Sequence, residues 1–251
     1  MQTTNSVGVS QSMLNAVQSC ERKFKYCFVD KLQPEMPSGA MEFGTALHTA
    51  ISSVLDGEGD PLEIFQMHWD SVKDTEMQYY RNDWEAYNRL GPVYLERFKK
   101  LHAKNYELMY AEERISATFN DTVFEGTPDF VGKYKGLVSL LDFKTASKPY
   151  EKLKLITSTQ LHLYAWLAME KYGIQIEQIG YVVFVSHPEP RIQVLTEKLD
   201  YKKMEDILLA SSKWARRINS IHNGAEAVMN VSACGAPYEC SFIKQCWGNL
   251  V

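Results

Sequence analysis

"EGTPDFVGKYKGLVSLLDFKTAS", residues 125–147, decides the fold. Gly132 and Gly136 bracket Lys133-Tyr134-Lys135 between two apolar runs, so the stretch reads as a β-hairpin turning at Lys135-Gly136. A two-residue turn there pairs Tyr134 with Leu137. Counting outward sets Asp129 opposite Asp142. Side chains alternate along a strand, so Asp142 and Lys144 share a face, and the register brings Asp129 to it as well. Two carboxylates about 5 Å apart at their Cβ atoms repel each other. A divalent cation between them resolves the conflict. A few hard oxygen ligands beside substrate phosphates describe a Mg²⁺ site. An isolated Asp-x-Lys is ordinarily a solvated face and a Pro-Asp pair a strand entry. The two in paired register are more specific.

The chain has 251 residues, enough for one large domain or two small ones with a real core. Its 45% hydrophobic and 23% charged residues are those of a soluble globular protein. The net charge of −4 leaves nucleic-acid binding to local basic surfaces. No apolar run reaches membrane-spanning length, and "MQTTNSVGVS" lacks the basic start and apolar core of a signal peptide. The reading is a cytoplasmic protein without a membrane partner.

The pattern along the chain is α/β. Residues 10–32 read as one helix starting at Ser10 or Ser12. Phe43, Leu47, Ala50, Ile51, Val54 and Leu55 have helical spacing. Asp60-Pro61 opens a further helical, aromatic-rich region running to about Tyr106. β-rich segments follow from about Met109. Residues 158–173 form a helix stopped by Gly173. "QIGYVVFVS" and "RIQVLTEKL" are strands. The final long helix has Met204, Ile207, Leu208, Trp214, Ile218 and Ile221 as its expected buried stripe.

Pro128-Asp129 followed by Asp142-Phe143-Lys144 resembles the signature of the PD-(D/E)xK nucleases, and more narrowly their RecB-like, CRISPR-associated, iron–sulfur exonuclease branch. "GTALHTAI" is similar to the branch's N-terminal helix motif, with His48 as its histidine. "EGTPDFVG" is similar to its Gly-x-x-Asp strand. "QLHLYAWL" places Gln160 and Tyr164 at its Gln-x-x-x-Tyr spacing, and "CERKFKY" resembles its N-terminal cysteine motif. The resemblance spans residues 10–246. It implies a restriction-endonuclease-like mixed β-sheet flanked by helices, with a helical N-terminal region and a C-terminal cysteine clamp. The whole of 1–251 is then a single nuclease domain, with a helical insertion at 60–107 and an iron–sulfur clamp formed by 1–30 and 230–251.

Phosphodiester hydrolysis needs a neutralised phosphate, an activated water and a stabilised leaving oxygen. By the resemblance, Asp129 and Asp142 hold Mg²⁺ or Mn²⁺, with the Phe143 carbonyl as a third ligand. His48 adds a nitrogen, which imidazole offers more readily to Mn²⁺. Lys144 orients or deprotonates the attacking water, or stabilises the phosphorane; its protonation state is open from sequence. Gln160 and Tyr164, four apart on one helix face, contact the nucleic-acid backbone or brace Lys144. An upstream acid is expected on a strand, Glu112 in preference to Glu113.

Of the five cysteines, Cys20 and Cys27 lie near the N-terminus, and Cys234, Cys240 and Cys246 lie within the last 18 residues. The resemblance implies that Cys20, Cys234, Cys240 and Cys246 hold a [4Fe–4S] cluster. The spacing is wider than usual in the branch and leaves Zn²⁺ or reduced thiols open. Cys27 reads as a small buried residue or an alternative ligand.

Lys133, Lys135, Lys144, Lys148, Lys152 and Lys154 crowd one 22-residue stretch. Arg22, Lys23 and Lys25 form a second basic group, and Lys213, Arg216 and Arg217 a third. Such groups bind phosphates without reading sequence. Tyr134 and Tyr150 are expected to stack bases of a single strand. The expected function is a metal-dependent deoxyribonuclease, an exonuclease on single-stranded DNA ends. The alternatives are an end-processing endonuclease with protein partners in a recombination or CRISPR-type complex, or a non-catalytic iron–sulfur DNA-binding module.

Overall fold

The structure, a computed structural model, describes residues 7–33, 36–235 and 239–248. In chain order the helices are α1 (Gln11–Ser19), α2 (Glu21–Phe24), α3 (Gly39–Asp56), α4 (Pro61–Ser71), α5 (Trp84–Arg97), α6 (Lys152–Ile156), α7 (Thr159–Tyr172), α8 (Tyr201–His222) and α9 (Ile243–Trp247). The strands are β1 (Tyr106–Tyr110), β2 (Ile115–Phe119), β3 (Thr122–Gly126), β4 (Phe130–Tyr134), β5 (Leu137–Ala146), β6 (Gln178–Val185) and β7 (Arg191–Lys198). They form two compact units. One comprises Pro37–Arg114 and Thr127–Asp200, the other Met1–Met36, Ile115–Gly126 and Tyr201–Val251.

The first unit is built on a mixed sheet in the order β1-β4-β5-β6-β7. Lys135 and Gly136 both have positive φ, as a two-residue hairpin turn demands, and Tyr134 pairs with Leu137 as the turn predicts. The register then runs to Phe130 opposite Leu141. β5 and β6 run parallel, so their connection needs a crossover, supplied by α6 and α7. β7 closes the sheet antiparallel to β6.

Alternation along β5 divides its residues between two faces. Leu141 and Phe143 enter a core with Phe43, Leu47 and Ile51 of α3, Phe65 and Trp69 of α4, Tyr94 of α5, and Phe130, Val182 and Phe184. Helices α4 and α5 thus pack their aromatics into the same core as the sheet. Asp60 caps α4 by accepting from the Leu62 N–H, with Pro61 at the first helical position. Asp142 and Lys144 project from the other face, where α7 packs on β5 and β6. Helix α7 is stopped by Gly173 in the left-handed conformation, as expected.

In the second unit β2 and β3 form a hairpin, and Val9 bridges to Phe124 beside it. The single N-terminal helix expected over residues 10–32 is interrupted. Ser10 caps α1, but Cys20 is extended (φ −163, ψ 123), and the chain restarts as α2 and a π-helical turn, Lys25–Val29. On α8 the buried positions include Met204, Leu208, Ser211, Ala215, Ile218 and Ile221, while Trp214 is 39% exposed. Trp214 precedes Ala215 by one residue, about 100° around the helix, so the expected stripe was displaced there.

Gly132 on β4 leaves no room for a side chain: a Cβ would lie 2.2 Å from the Glu107 carbonyl oxygen and 2.8 Å from the Phe130 ring. Gly132→Ala is expected to cost about 1–3 kcal/mol, the usual penalty of overpacking, measurable by urea unfolding.

Candidate active site

The hairpin and three other segments bring their functional side chains together around the backbone of Phe143. Asp129 immediately precedes β4, and its Oδ2 accepts the Phe143 N–H at 2.7 Å. Asp142 on β5 is only 1% exposed. Its Oδ1 accepts from Gln160 Nε2 of α7 at 2.6 Å. The Lys144 ammonium lies 2.6 Å from Asp142 Oδ2, so Gln160 and Lys144 each engage one oxygen of this buried carboxylate. His48 of α3 is hydrogen-bonded to the Phe143 backbone, and its Nδ1 stands 3.7 Å from Asp129 Oδ2. Tyr164, one turn beyond Gln160, is hydrogen-bonded to it and senses the charges of Asp142 and Asp129.

Glu112 is placed in a loop with φ 52 rather than on the expected strand, because β1 ends at Tyr110. Its N–H donates to the Pro128 carbonyl at 3.1 Å. Burial raises the Glu112 carboxyl, and Asp56 and Asp142 add to the effect. Glu113 instead engages the end of α7, accepting from the Tyr172 hydroxyl at 2.9 Å and lying 3.6 Å from Lys171. His162 donates from Nδ1 to the Ser158 carbonyl, 2.7 Å away, and is buried.

Sequence reasoning missed Tyr181. It pairs with Asp142 across the parallel β5/β6 ladder, so both project from one face. Its hydroxyl lies 2.6 Å from the Ser158 hydroxyl, at the N-cap of α7, and burial keeps the phenol protonated. The local signal was an ordinary apolar strand. Only the parallel register reveals the neighbour.

Burial governs the electrostatics. It raises Asp142 to about 7, with Asp129 adding to the rise and Lys144 opposing it. It raises Asp129 to about 6, opposed by Lys144 and the Phe143 N–H. Burial lowers His48 to about 4, leaving the imidazole neutral at pH 7. Burial also pulls Lys144 down, but Asp142 and Asp129 together outweigh it and the net shift is upward, so the group is an ammonium. Two buried acids that resist ionisation beside a neutral imidazole fit a divalent cation. The donors are two carboxylates, the Phe143 carbonyl and a ring nitrogen. Among the described residues no three His, Cys, Asp or Glu side chains are drawn close enough to grip an ion as they stand.

In the second unit Cys20, Cys234, Cys240 and Cys246 line one small pocket with Lys23, Tyr26 and Phe242. All five cysteines are free thiols. The extended break at Cys20 aims its sulfur towards the C-terminal segment, where it accepts from the Asn230 N–H at 3.4 Å. The Cys246 thiol donates to the Tyr26 hydroxyl at 3.8 Å. A four-thiol set fits an iron–sulfur cluster or zinc in donor chemistry. Cys27 lies near Cys240 without lining the pocket, and burial raises its thiol. Residues 1–6, 236–238 and 249–251 of the expected clamp lie outside the described residues.

The basic groups fare unequally. Lys133 pairs with Glu107 at 3.2 Å and Lys152 with Glu197 at 2.6 Å. Arg217 grips Glu21, and Lys25 pairs with Asp30 at 2.6 Å. Tyr134, expected to stack bases, is instead 5% exposed and packs against Tyr106.

A carboxyl raised from 3.8 to about 7 on folding binds more protons in the folded state between those values, so its contribution to stability falls as pH rises through that window. His48, lowered on folding, acts oppositely up to its unfolded pKa near 6.5. In chelator, Asp142→Asn is therefore expected to gain melting temperature relative to the unsubstituted protein as pH rises from about 4 to about 7, read by thermal denaturation at each pH.

Comparison with known proteins identifies the family. Residues 8–247 match the PD-(D/E)XK nuclease superfamily. A protein from Eubacterium rectale, described with its crystal structure as a "Putative exonuclease", superposes with a TM-score of 0.63 at 13% identity, covering 100% of this chain and 91% of that one. The crystal structure of SSO0001 superposes far more loosely, with a TM-score of 0.31 at 15% identity, over 81% of this chain and 85% of that one. No curated protein matches the sequence. With a family match along nearly its whole length and a five-stranded mixed sheet flanked by helices, the chain belongs to the PD-(D/E)XK nuclease superfamily and has its restriction-endonuclease-like fold.

Proposed function

We propose that this chain is a divalent-metal-dependent deoxyribonuclease of the RecB-like branch, an exonuclease acting in the cytoplasm on free single-stranded DNA ends. The observation carrying the reading is the convergence of Asp129, Asp142, Lys144 and His48 around the Phe143 backbone, with Asp142 buried and ion-paired to Lys144. Asp129, Asp142, the Phe143 carbonyl and His48 would hold Mg²⁺ or Mn²⁺. The bound ion would neutralise the scissile phosphate and lower the pKa of the attacking water.

The remaining chemistry belongs to the protein. Lys144, kept as an ammonium by its two acids, is a donor: it orients the water and stabilises charge on the phosphorane. Gln160 fixes the rotamer of Asp142 through Oδ1, leaving Oδ2 directed at the site. Tyr164 braces Gln160, and Glu112 supplies a further acid at the edge. The whole chain acts as one nuclease domain with 60–107 as a helical insertion. The cysteine pocket, formed from 1–30 and 230–251, holds a [4Fe–4S] cluster. The similarity to the Eubacterium rectale protein, described as a "Putative exonuclease", favours exonucleolytic action. Among the described residues no helix is long and apolar enough to cross a membrane.

The deciding experiment uses anaerobically purified protein, Mn²⁺ and end-labelled single-stranded DNA. Lys144→Ala is expected to cut activity by at least roughly a hundredfold, the scale set by losing one transition-state donor, with a melting temperature near that of the unsubstituted protein. Covalently closed single-stranded circles are expected to survive. Their degradation would replace exonuclease with endonuclease, and an inert protein that binds DNA would leave only a binding module. Iron and sulfide analysis is expected to give about four of each per chain, lost in Cys240→Ser. Zinc in their place would refute the cluster.

A further inference from the structure

We propose that Tyr150, Lys148 and Lys154 form a subsite for one nucleotide of a single-stranded substrate, the base stacking on the Tyr150 ring and the lysines taking its phosphate. The proposal rests on the nuclease reading above and extends it to how single strands are selected. An open groove begins at Ala146, the last residue of β5, and is lined by Lys148, Tyr150, Glu151, Leu153 and Lys154 among others. Ala146 is two residues beyond Lys144, on the same side of the strand and about 7 Å along it. One end of the groove therefore lies within two residues of Lys144 on the strand.

The aromatic wall is held before any ligand arrives. Gln193 of β7 accepts the Tyr150 N–H at 2.8 Å and donates to the Tyr150 carbonyl at 3.0 Å. Tyr181 meets the Tyr150 ring at 5.3 Å and 86°, tying the groove to the residue that lies beside Asp142. Leu153 is 63% exposed and adds an apolar wall. Glu151 is the acid lining the groove, against two lysines. Lys152 is committed to Glu197 and is not part of the subsite.

In the free protein the Lys154 ammonium sits 3.3 Å from the Tyr150 ring centroid. Tyr150 is half-buried, and a base stacked on its ring replaces the ammonium with a contact of at least similar strength. A phosphate entering the groove gives that ammonium a better partner. Lys154 thus exchanges ring for phosphate as the base takes its place. A duplex cannot use this exchange, because its bases are already stacked on their neighbours.

The test measures binding of fluorescent oligothymidine to the intact chain in Ca²⁺, and cleavage separately in Mn²⁺. Tyr150→Ala is expected to weaken binding roughly tenfold, the scale of one base–aromatic stack. Tyr150→Phe is expected to retain affinity. A scan of single abasic positions with the unsubstituted protein should find one position that costs as much, and that position should become neutral in Tyr150→Ala. Lys154→Ala should reduce the slope of log affinity against log salt by about 0.7, one single-strand phosphate contact. Blunt duplex binding should not change in any variant. Tyr150→Ala within twofold of the unsubstituted protein, or a flat abasic scan, overturns the subsite. If the unsubstituted protein still cleaves in either case, the nuclease reading survives. A protein that neither binds nor cleaves DNA overturns both. The abasic scan needs no variant, so it decides even if Tyr150→Ala fails to fold.

Discussion

Asp142 sits 1% exposed on a central strand of the sheet, and much of the larger unit can be understood as a response to that placement. An ionised carboxylate removed from water costs roughly several kcal/mol unless its oxygens are occupied. Gln160 occupies one, and the Lys144 ammonium pairs with the other at 2.6 Å. Asp129 worsens the conflict by adding a second buried acid whose charge raises Asp142 further. A core built for stability alone would have placed leucine there. The arrangement is intelligible as a site that waits for positive charge.

The scaffold holds this conflict in place from several directions. The Lys135-Gly136 turn fixes the register that leads Asp129 back to the Phe143 N–H. The apolar face of β5 anchors the strand in a core rich in aromatics from α3, α4 and α5, so Phe143 cannot shift without disturbing many rings. The opposite face receives α7, whose Ser158 cap and Gln160 arrive together with Tyr181. Rigidity on the apolar face thus supports precision on the polar one.

Much of this was legible in residue order. The hairpin register follows from a two-residue turn with φ positive at both positions, a local constraint. His48 was marked by its helix motif, and Gln160 and Tyr164 by a spacing of four, which puts them on one helix face. Glu112 was expected on a strand, but β1 ends at Tyr110 and Glu112 lies in a loop whose left-handed backbone had no local marker. Tyr134 and Tyr150 looked equivalent as aromatics between lysines. Burial separates them, one in the core beside Tyr106 and the other at the groove.

The sequence by itself determined the elements whose causes are local: the turn, the caps at Ser10, Asp60 and Gly173, the alternation that gives Asp142 and Lys144 one face, and the cysteines at both ends of the chain. The tertiary structure alone decided what depends on partners distant in sequence. Parallel pairing of β5 with β6 has no turn to announce it, so the place of Tyr181 beside Asp142 could not be counted out. The extended break at Cys20 interrupts a sequence with uninterrupted helical character, and it is this break that lets Cys20 share a pocket with Cys234, Cys240 and Cys246. The direction of each pKa shift also came from the fold, because desolvation is a property of what surrounds a group, not of its neighbours along the chain.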